Sequence, residues 1–161
     1  MMENRMNHFN EAGEAHMVDV GLKDITDREA VASGRIRMQN AAFQMVKSGS
    51  AKKGDVLGIA RIAGIMAAKK TSDLIPLSHP ISLDGCELYF ILHEELGEIE
   101  AVCSVHVNAR TGAEMEALTG VSAALLTVYD MVKAADRGME ITAIHLQKKS
   151  GGKSGVYVRE S

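Results

Sequence analysis

The only two prolines of the chain, Pro76 and Pro80, bracket Leu77, Ser78 and His79 within the stretch K-K-T-S-D-L-I-P-L-S-H-P at 69–80. Proline fixes its own φ and pushes the preceding residue toward extended backbone, so His79 is held in a stiff loop. Such stiffness suits a loop that presents its backbone and an imidazole to a ligand. The same prolines would serve equally to end a helix and leave a surface histidine. A second group, Glu114, Met115 and Glu116, follows a Thr111-Gly112 turn and opens an apolar helical run. Its carboxylates can face a ligand or simply complement the helix dipole. A third, Asp130 with Lys133, stands three positions apart and so on one helix face. An acid and a base so placed can hold each other's protonation states apart for proton transfer, or form a solvated ion pair. The fourth is K-K-S-G-G-K-S-G at 148–155. Its glycines free backbone N–H groups and its lysines, Lys149 and Lys153 among them, supply charge, as a phosphate contact needs. A flexible basic hairpin tip has the same composition. It is not a Walker A loop, because Gln147 stands where the first glycine is required.

Spacing limits how these groups combine. Glu116 and Asp130 are 14 positions apart, about 21 Å along an unbroken helix. One compact site in one subunit cannot easily use both. Either the ligand is long or the site takes its two ends from different chains.

The elements that must carry these residues are legible from periodicity. Alternation predicts a strand over 30–38, and a short helix follows over 39–48, closed by Gly49. A longer helix is expected over 52–70, with Asp55 in its first turn and Lys69 and Lys70 in its last, as the macrodipole prefers. Its centre at 56–68 is apolar apart from Arg61 and two glycines, so it should be buried on most sides. Strands over 82–94 and 98–108 with Glu95-Leu96-Gly97 between them predict an antiparallel hairpin. A helix follows over 114–135, with Met115, Leu118, Ser122, Leu125, Tyr129 and Val132 along one stripe. Strands over 141–148 and 156–159 end the chain. A hairpin rather than regular strand–helix alternation argues for α+β, an antiparallel sheet with helices on one face.

Composition bounds the rest. With 161 residues, 46% of them hydrophobic and 24% charged, the chain suits one domain with a real core. Residues 1–16 lack periodicity and read as a mobile arm ahead of a single domain at 17–161. A net charge of −3 and six aromatic residues, none of them Trp, disfavour nucleic acid and anionic membrane as partners. The 15 glycines and many alanines suggest closely packed helices. Two cysteines, Cys86 and Cys103, give neither a disulfide scaffold nor a zinc cluster; they could be neighbours across the hairpin, but buried free thiols are the favoured reading. His8, His16, His79, His93, His106 and His145 show no pairing with cysteine at metal-ligand spacing. A polar N-terminus and the lack of a long unbroken apolar run make a cytoplasmic protein the expectation.

Taken together, M-V-D-V (17–20), T-D-R (26–28), G-I-M-A-A-K-K-T-S-D-L-I-P-L-S-H-P (64–80), E-M-E-A-L-T (114–119), Y-D-M-V-K (129–133) and K-S-G-G-K-S-G (149–155) resemble, in order, the MoaC family. These are the cyclic pyranopterin monophosphate synthases of molybdenum-cofactor biosynthesis. The resemblance implies a ferredoxin-like fold and a lyase that rearranges 3′,8-cyclo-7,8-dihydro-GTP with loss of pyrophosphate. It also implies a homohexamer, a trimer of dimers, with its active site between subunits. By position, Asp130 matches the family's catalytic aspartate, and Lys133 and Lys69 match lysines tied to acid–base work. Leu77, Ser78, His79, Met115 and Glu116 match substrate-binding segments, and Glu114, Arg28, Lys53 and Lys149 fall on further polar positions. Lys153 belongs to the same glycine-rich loop. Many members carry cysteine where this chain has Ser78, which assigns Ser78 to contact rather than catalysis.

The chemistry suits these residue types. Rebuilding a purine as a pterin needs repeated proton transfer, and expelling pyrophosphate needs cations on the departing charge. No cofactor is expected, although Mg²⁺ could accompany the triphosphate. The rival readings are a non-catalytic oligomeric module for phosphorylated nucleotides, separated by turnover, and a nucleic-acid-binding domain, separated by salt-dependent binding.

Overall fold

The computed structural model describes residues 8–52 and 54–160. Five strands, β1 (Thr26–Arg37), β2 (Gly85–His93), β3 (Glu98–Ala109), β4 (Glu140–Ser150) and β5 (Tyr157–Val158), form one sheet in the order β2-β3-β1-β4-β5. Every pairing is antiparallel. With α1 (Asn40–Lys47), α2 (Val56–Ala68) and α3 (Thr71–Leu74) between β1 and β2, and α4 (Glu114–Val132) between β3 and β4, this is the expected ferredoxin-like α+β arrangement.

Side-chain alternation explains the layering. Ala30, Ala32 and Ile36 of β1 and Ile99, Ala101, Cys103, Val105 and Val107 of β3 are buried, and together face the helices. Their partners across the layer are Val121, Leu125 and Val128 of α4. The β2–β3 hairpin closes through a 3-10 turn at Glu94–Leu96 and Gly97, whose φ of 62° is the left-handed geometry glycine takes without strain.

Small residues let the two long helices meet. A Cβ on Gly64 would lie 2.7 Å from the Gly120 carbonyl oxygen and 2.3 Å from Leu88 Cδ1, so α2 and α4 cross backbone to backbone. The close packing expected from the glycine and alanine content is realised here.

Four expectations are corrected. Helix α2 begins at Val56 rather than 52, because Asp55 caps it by accepting from the Gly58 N–H at 2.9 Å, and it ends at Ala68, with Lys69 as its C-cap. It is also not buried on most sides: Val56, Ala60, Gly64 and Ala68 are buried, while Ile59, Ile62 and Met66 are exposed. The buried stripe of α4 runs through Ala117, Gly120, Val121, Ala124, Leu125, Val128 and Val132, leaving Met115 exposed and Leu118, Ser122 and Tyr129 half-buried. Its small members, Ala117, Gly120 and Ala124, bring α4 against its neighbours, and a search for large apolar residues passes over them. Helix α4 stops at Val132, short of 135; beyond it, buried Asp136 accepts from the Gln39 and Gly138 N–H groups, each at 2.8 Å, tying this turn to the start of α1.

Helix α4 is long and apolar enough to cross a bilayer by length and composition, but half of it is buried against the rest of the fold, as befits a core helix. Of the expected N-terminal arm, residues 1–7 lie outside the described residues. Residues 8–16 form a turn, with the His16 N–H donating to the His8 carbonyl at 3.0 Å.

Candidate active site

The loop after α3 is folded by its own backbone. The Ile75 N–H donates to the Thr71 carbonyl at 2.9 Å and the Ser78 N–H to the Ile75 carbonyl at 3.0 Å, a turn with Pro76 and Leu77 at its centre. His79 Nε2 then donates to the Val18 carbonyl at 2.7 Å. A carbonyl only accepts, so Nε2 carries the proton, and in the neutral ring Nδ1 remains as the acceptor. The stiff loop is thereby anchored to the segment that precedes β1.

A cleft of about 660 Å³ opens between this loop and the N-terminus of α4. It brings together Leu77, Ser78, His79, Glu114, Met115 and Glu116, with His8, Val18, Val20 and Lys23 contributed by the N-terminal segment. Glu116 is only 3% exposed. Burial pushes its carboxyl up to about 7, the Glu114 charge adds to this, and its own backbone N–H opposes it. Near neutral pH such a carboxyl can give or take a proton.

A second cleft of about 440 Å³ shares Lys23, Thr111, Gly112 and Glu114 with the first, so the two are continuous. Its walls carry Lys23, Arg28, Arg110 and Lys153 against Asp24 and Glu114, an excess of positive charge suited to an anion. Arg28 is held by donating from Nε to the Ala109 carbonyl at 3.1 Å and from Nη2 to the Arg110 carbonyl at 3.3 Å. Its guanidinium lies against Gly152, where a Cβ would come within 2.4 Å of Nη1. Lys149 donates to Glu114 Oε1 at 2.8 Å and to Ser154 Oγ at 3.3 Å, tying the glycine-rich loop to the start of α4. Thr26 Oγ1, on the same cleft, is the one buried side-chain oxygen without a partner among the described residues.

The remaining predicted residues stand elsewhere in the protomer. Lys69 lines a separate cleft with Asp84 and Cys86. Lys133 donates to Asp130 Oδ1 at 2.6 Å near the far end of α4, both side chains more than half exposed. Glu116 and Asp130 lie on one unbroken helix, so the expected separation of about 21 Å holds within one chain. Lys53 lies outside the described residues.

Sequence reasoning missed Lys23, Arg110, Thr26 and the N-terminal His8, Val18 and Val20. Arg110 immediately precedes the Thr111-Gly112 turn, and Lys23 and Thr26 lie between or at the edge of recognised strings. For Lys23 and Arg110 the signal available was adjacency to a motif, whereas Val18, Val20 and Thr26 stood inside quoted strings without being singled out.

Residues 17–152 match the family model described as the MoaC family. The chain is 56% identical over 159 residues to the "Cyclic pyranopterin monophosphate synthase" of Clostridium botulinum (strain Alaska E43 / Type E3), covering 99% of this chain and 100% of that protein. It is 56% identical over 155 residues to the protein of the same name from Heliobacterium modesticaldum (strain ATCC 51547 / Ice1), covering 96% and 98%. With that of Peptoclostridium acidaminophilum it shares 55% over 154 residues, covering 96% and 97%.

Proposed function

The chain belongs to the MoaC family, and from that premise we propose that it is a cyclic pyranopterin monophosphate synthase. It is a lyase of molybdenum-cofactor biosynthesis that converts 3′,8-cyclo-7,8-dihydro-GTP to cyclic pyranopterin monophosphate and pyrophosphate. The observation that carries this reading is 56% identity to a protein of that name, end to end. The geometry supports it through the continuity of the two clefts, one walled by His79 and Glu116, the other cationic.

In this reading the ring system lies against Leu77, Ser78, His79, Met115 and Glu116. The phosphates lie among Arg28, Lys149 and Lys153, joined by Lys23 and Arg110, with Lys53 assigned to them by the family resemblance alone, and these cations stabilise the departing pyrophosphate. Asp130, Lys133 and Lys69 carry the proton transfers. Because these groups stand apart from the binding clefts within one protomer, the working site forms between subunits of a homohexamer built as a trimer of dimers. Exposed Ile59, Ile62 and Met66 on α2 and Leu126 on α4 are apolar surface suited to such contacts. Residues 17–161 act as one catalytic domain in the cytoplasm. The chain supplies no cofactor, and any Mg²⁺ travels with the triphosphate.

The test is turnover of the cyclised GTP intermediate by purified protein, followed by release of pyrophosphate and the cyclic pterin phosphate. Binding of the intermediate without product would instead favour a non-catalytic nucleotide-binding module.

A further inference from the structure

The hairpin carries two thiols that the proposed chemistry does not use. In the β2–β3 register Cys86 pairs with Val105 and Leu88 with Cys103, so the cysteines are diagonal neighbours. Their Sγ atoms are 3.9 Å apart. Their surroundings are unequal. Cys86 is half-buried and lines the cleft that also holds Lys69, Asp84 and Gly85. Cys103 is fully buried beneath α4, where a Cβ on Gly120 would come 2.8 Å from its sulfur.

We propose that Cys86 and Cys103 form a thiol–disulfide exchange site, in which Cys86 reacts with low-molecular-weight disulfides and Cys103 resolves the product into an intrachain disulfide. Access fixes the order, because only Cys86 meets the cleft. Partial exposure in a cleft that Lys69 also lines is a setting in which a thiol can become a nucleophile. The contact between the two sulfurs holds the Cys86 thiol below its ordinary pKa, while the same contact and burial raise that of Cys103. The first step joins the Cys86 thiolate to one sulfur of the small disulfide, breaks its S–S bond and releases one thiolate. In the second, the Cys103 sulfur attacks Cys86, breaks the mixed disulfide and releases the other thiolate. The two released thiolates take up the protons lost by Cys86 and Cys103. Two protein thiols are thus oxidised by two electrons, and one small disulfide is reduced to two thiols.

The full chain incubated with oxidised glutathione, quenched in acid and examined by intact mass tests this. The wild-type protein should lose two hydrogens, keep no adduct, and recover its mass with dithiothreitol. Cys103→Ala should stop at a stable glutathione adduct, and Cys86→Ala should lose reactivity altogether. Peptide mapping of the wild-type chain alone should find the Cys86 and Cys103 peptides joined, which needs no variant to fold. A wild-type protein that retains glutathione on Cys86, or that leaves both thiols free, overturns the proposal.

Discussion

Glu116 is the residue whose titration the fold has altered most legibly. Its carboxyl is raised by burial from 4.5 to about 7, so between those values the folded chain keeps a proton that the unfolded chain has lost. Stability contributed by the protonated form is therefore full below about pH 4.5, and falls as pH rises toward 7. At about 1.4 kcal/mol per pH unit the gap amounts to roughly 3 kcal/mol. Glu116→Gln should match the parent near pH 4 and exceed it by up to roughly 3 kcal/mol near pH 8, read from urea-unfolding midpoints at each pH. A parent that gains on the variant across this window would contradict the assignment. Lys133 offers the opposite contrast, since an exposed pair such as Asp130–Lys133 contributes only about 0.2–1 kcal/mol to stability. If it moves protons, Lys133→Ala should leave the melting temperature nearly unchanged and cut turnover at least about a hundredfold. Lys133→Arg should rescue little, because guanidinium keeps its proton near neutral pH. Near-normal turnover in the Arg variant would make Lys133 an electrostatic anchor instead. Leu77, Ser78, His79 and Glu116 were legible because prolines and a glycine turn mark them out. Lys23 and Arg110 were not, because a lone cation acquires meaning only when the chain brings it to a cleft.

At the scale of elements, the strands and helix α4 were legible because alternation and a glycine turn encode them locally. The face that each helix buries was not. Burial along α2 and α4 follows Ala60, Gly64, Ala68, Ala117, Gly120 and Ala124, residues whose smallness matters only once a second backbone lies against them. Replacing Gly64 with alanine illustrates the balance. Alanine favours a helix over glycine by about 1 kcal/mol. Its Cβ, however, would sit 2.7 Å from the Gly120 carbonyl, a contact with backbone that cannot turn aside. Overpacking of this kind costs about 1–3 kcal/mol, so Gly64→Ala should lower the melting temperature by a few degrees. A rise in melting temperature would show that the crossing has slack.

At the scale of the whole molecule, the separation of Glu116 from Asp130 predicts complementation. If the site is shared between subunits, Glu116→Ala and Asp130→Ala variants, each inactive alone, should regain part of the activity when their subunits exchange, by rebuilding intact sites in mixed oligomers. Activity assayed after exchange, verified by mass of the mixed species, decides this. Exchange without recovery would place the complete site in one chain. The α+β class was legible at this scale. The uncovered apolar side of α2 was not, because an apolar helix reads the same whether its own chain or another covers it.

The central position of β1 sets an order on how the chain can be made. Ala32 lies opposite Cys103 on one side and Leu146 on the other, so the second strand to fold in space beside β1 is nearly the last to leave the ribosome. Contacts between such distant parts of a chain make folding slow, since a long loop must close before any pairing rewards it. A nascent chain ending before β4 holds β1 with one row of backbone N–H and C=O groups unpaired, an invitation to pair with a neighbouring chain. Chains truncated at residue 135 should therefore be protease-sensitive and aggregate, whereas full-length chains refold, with arrival of β4 as the event that commits the sheet.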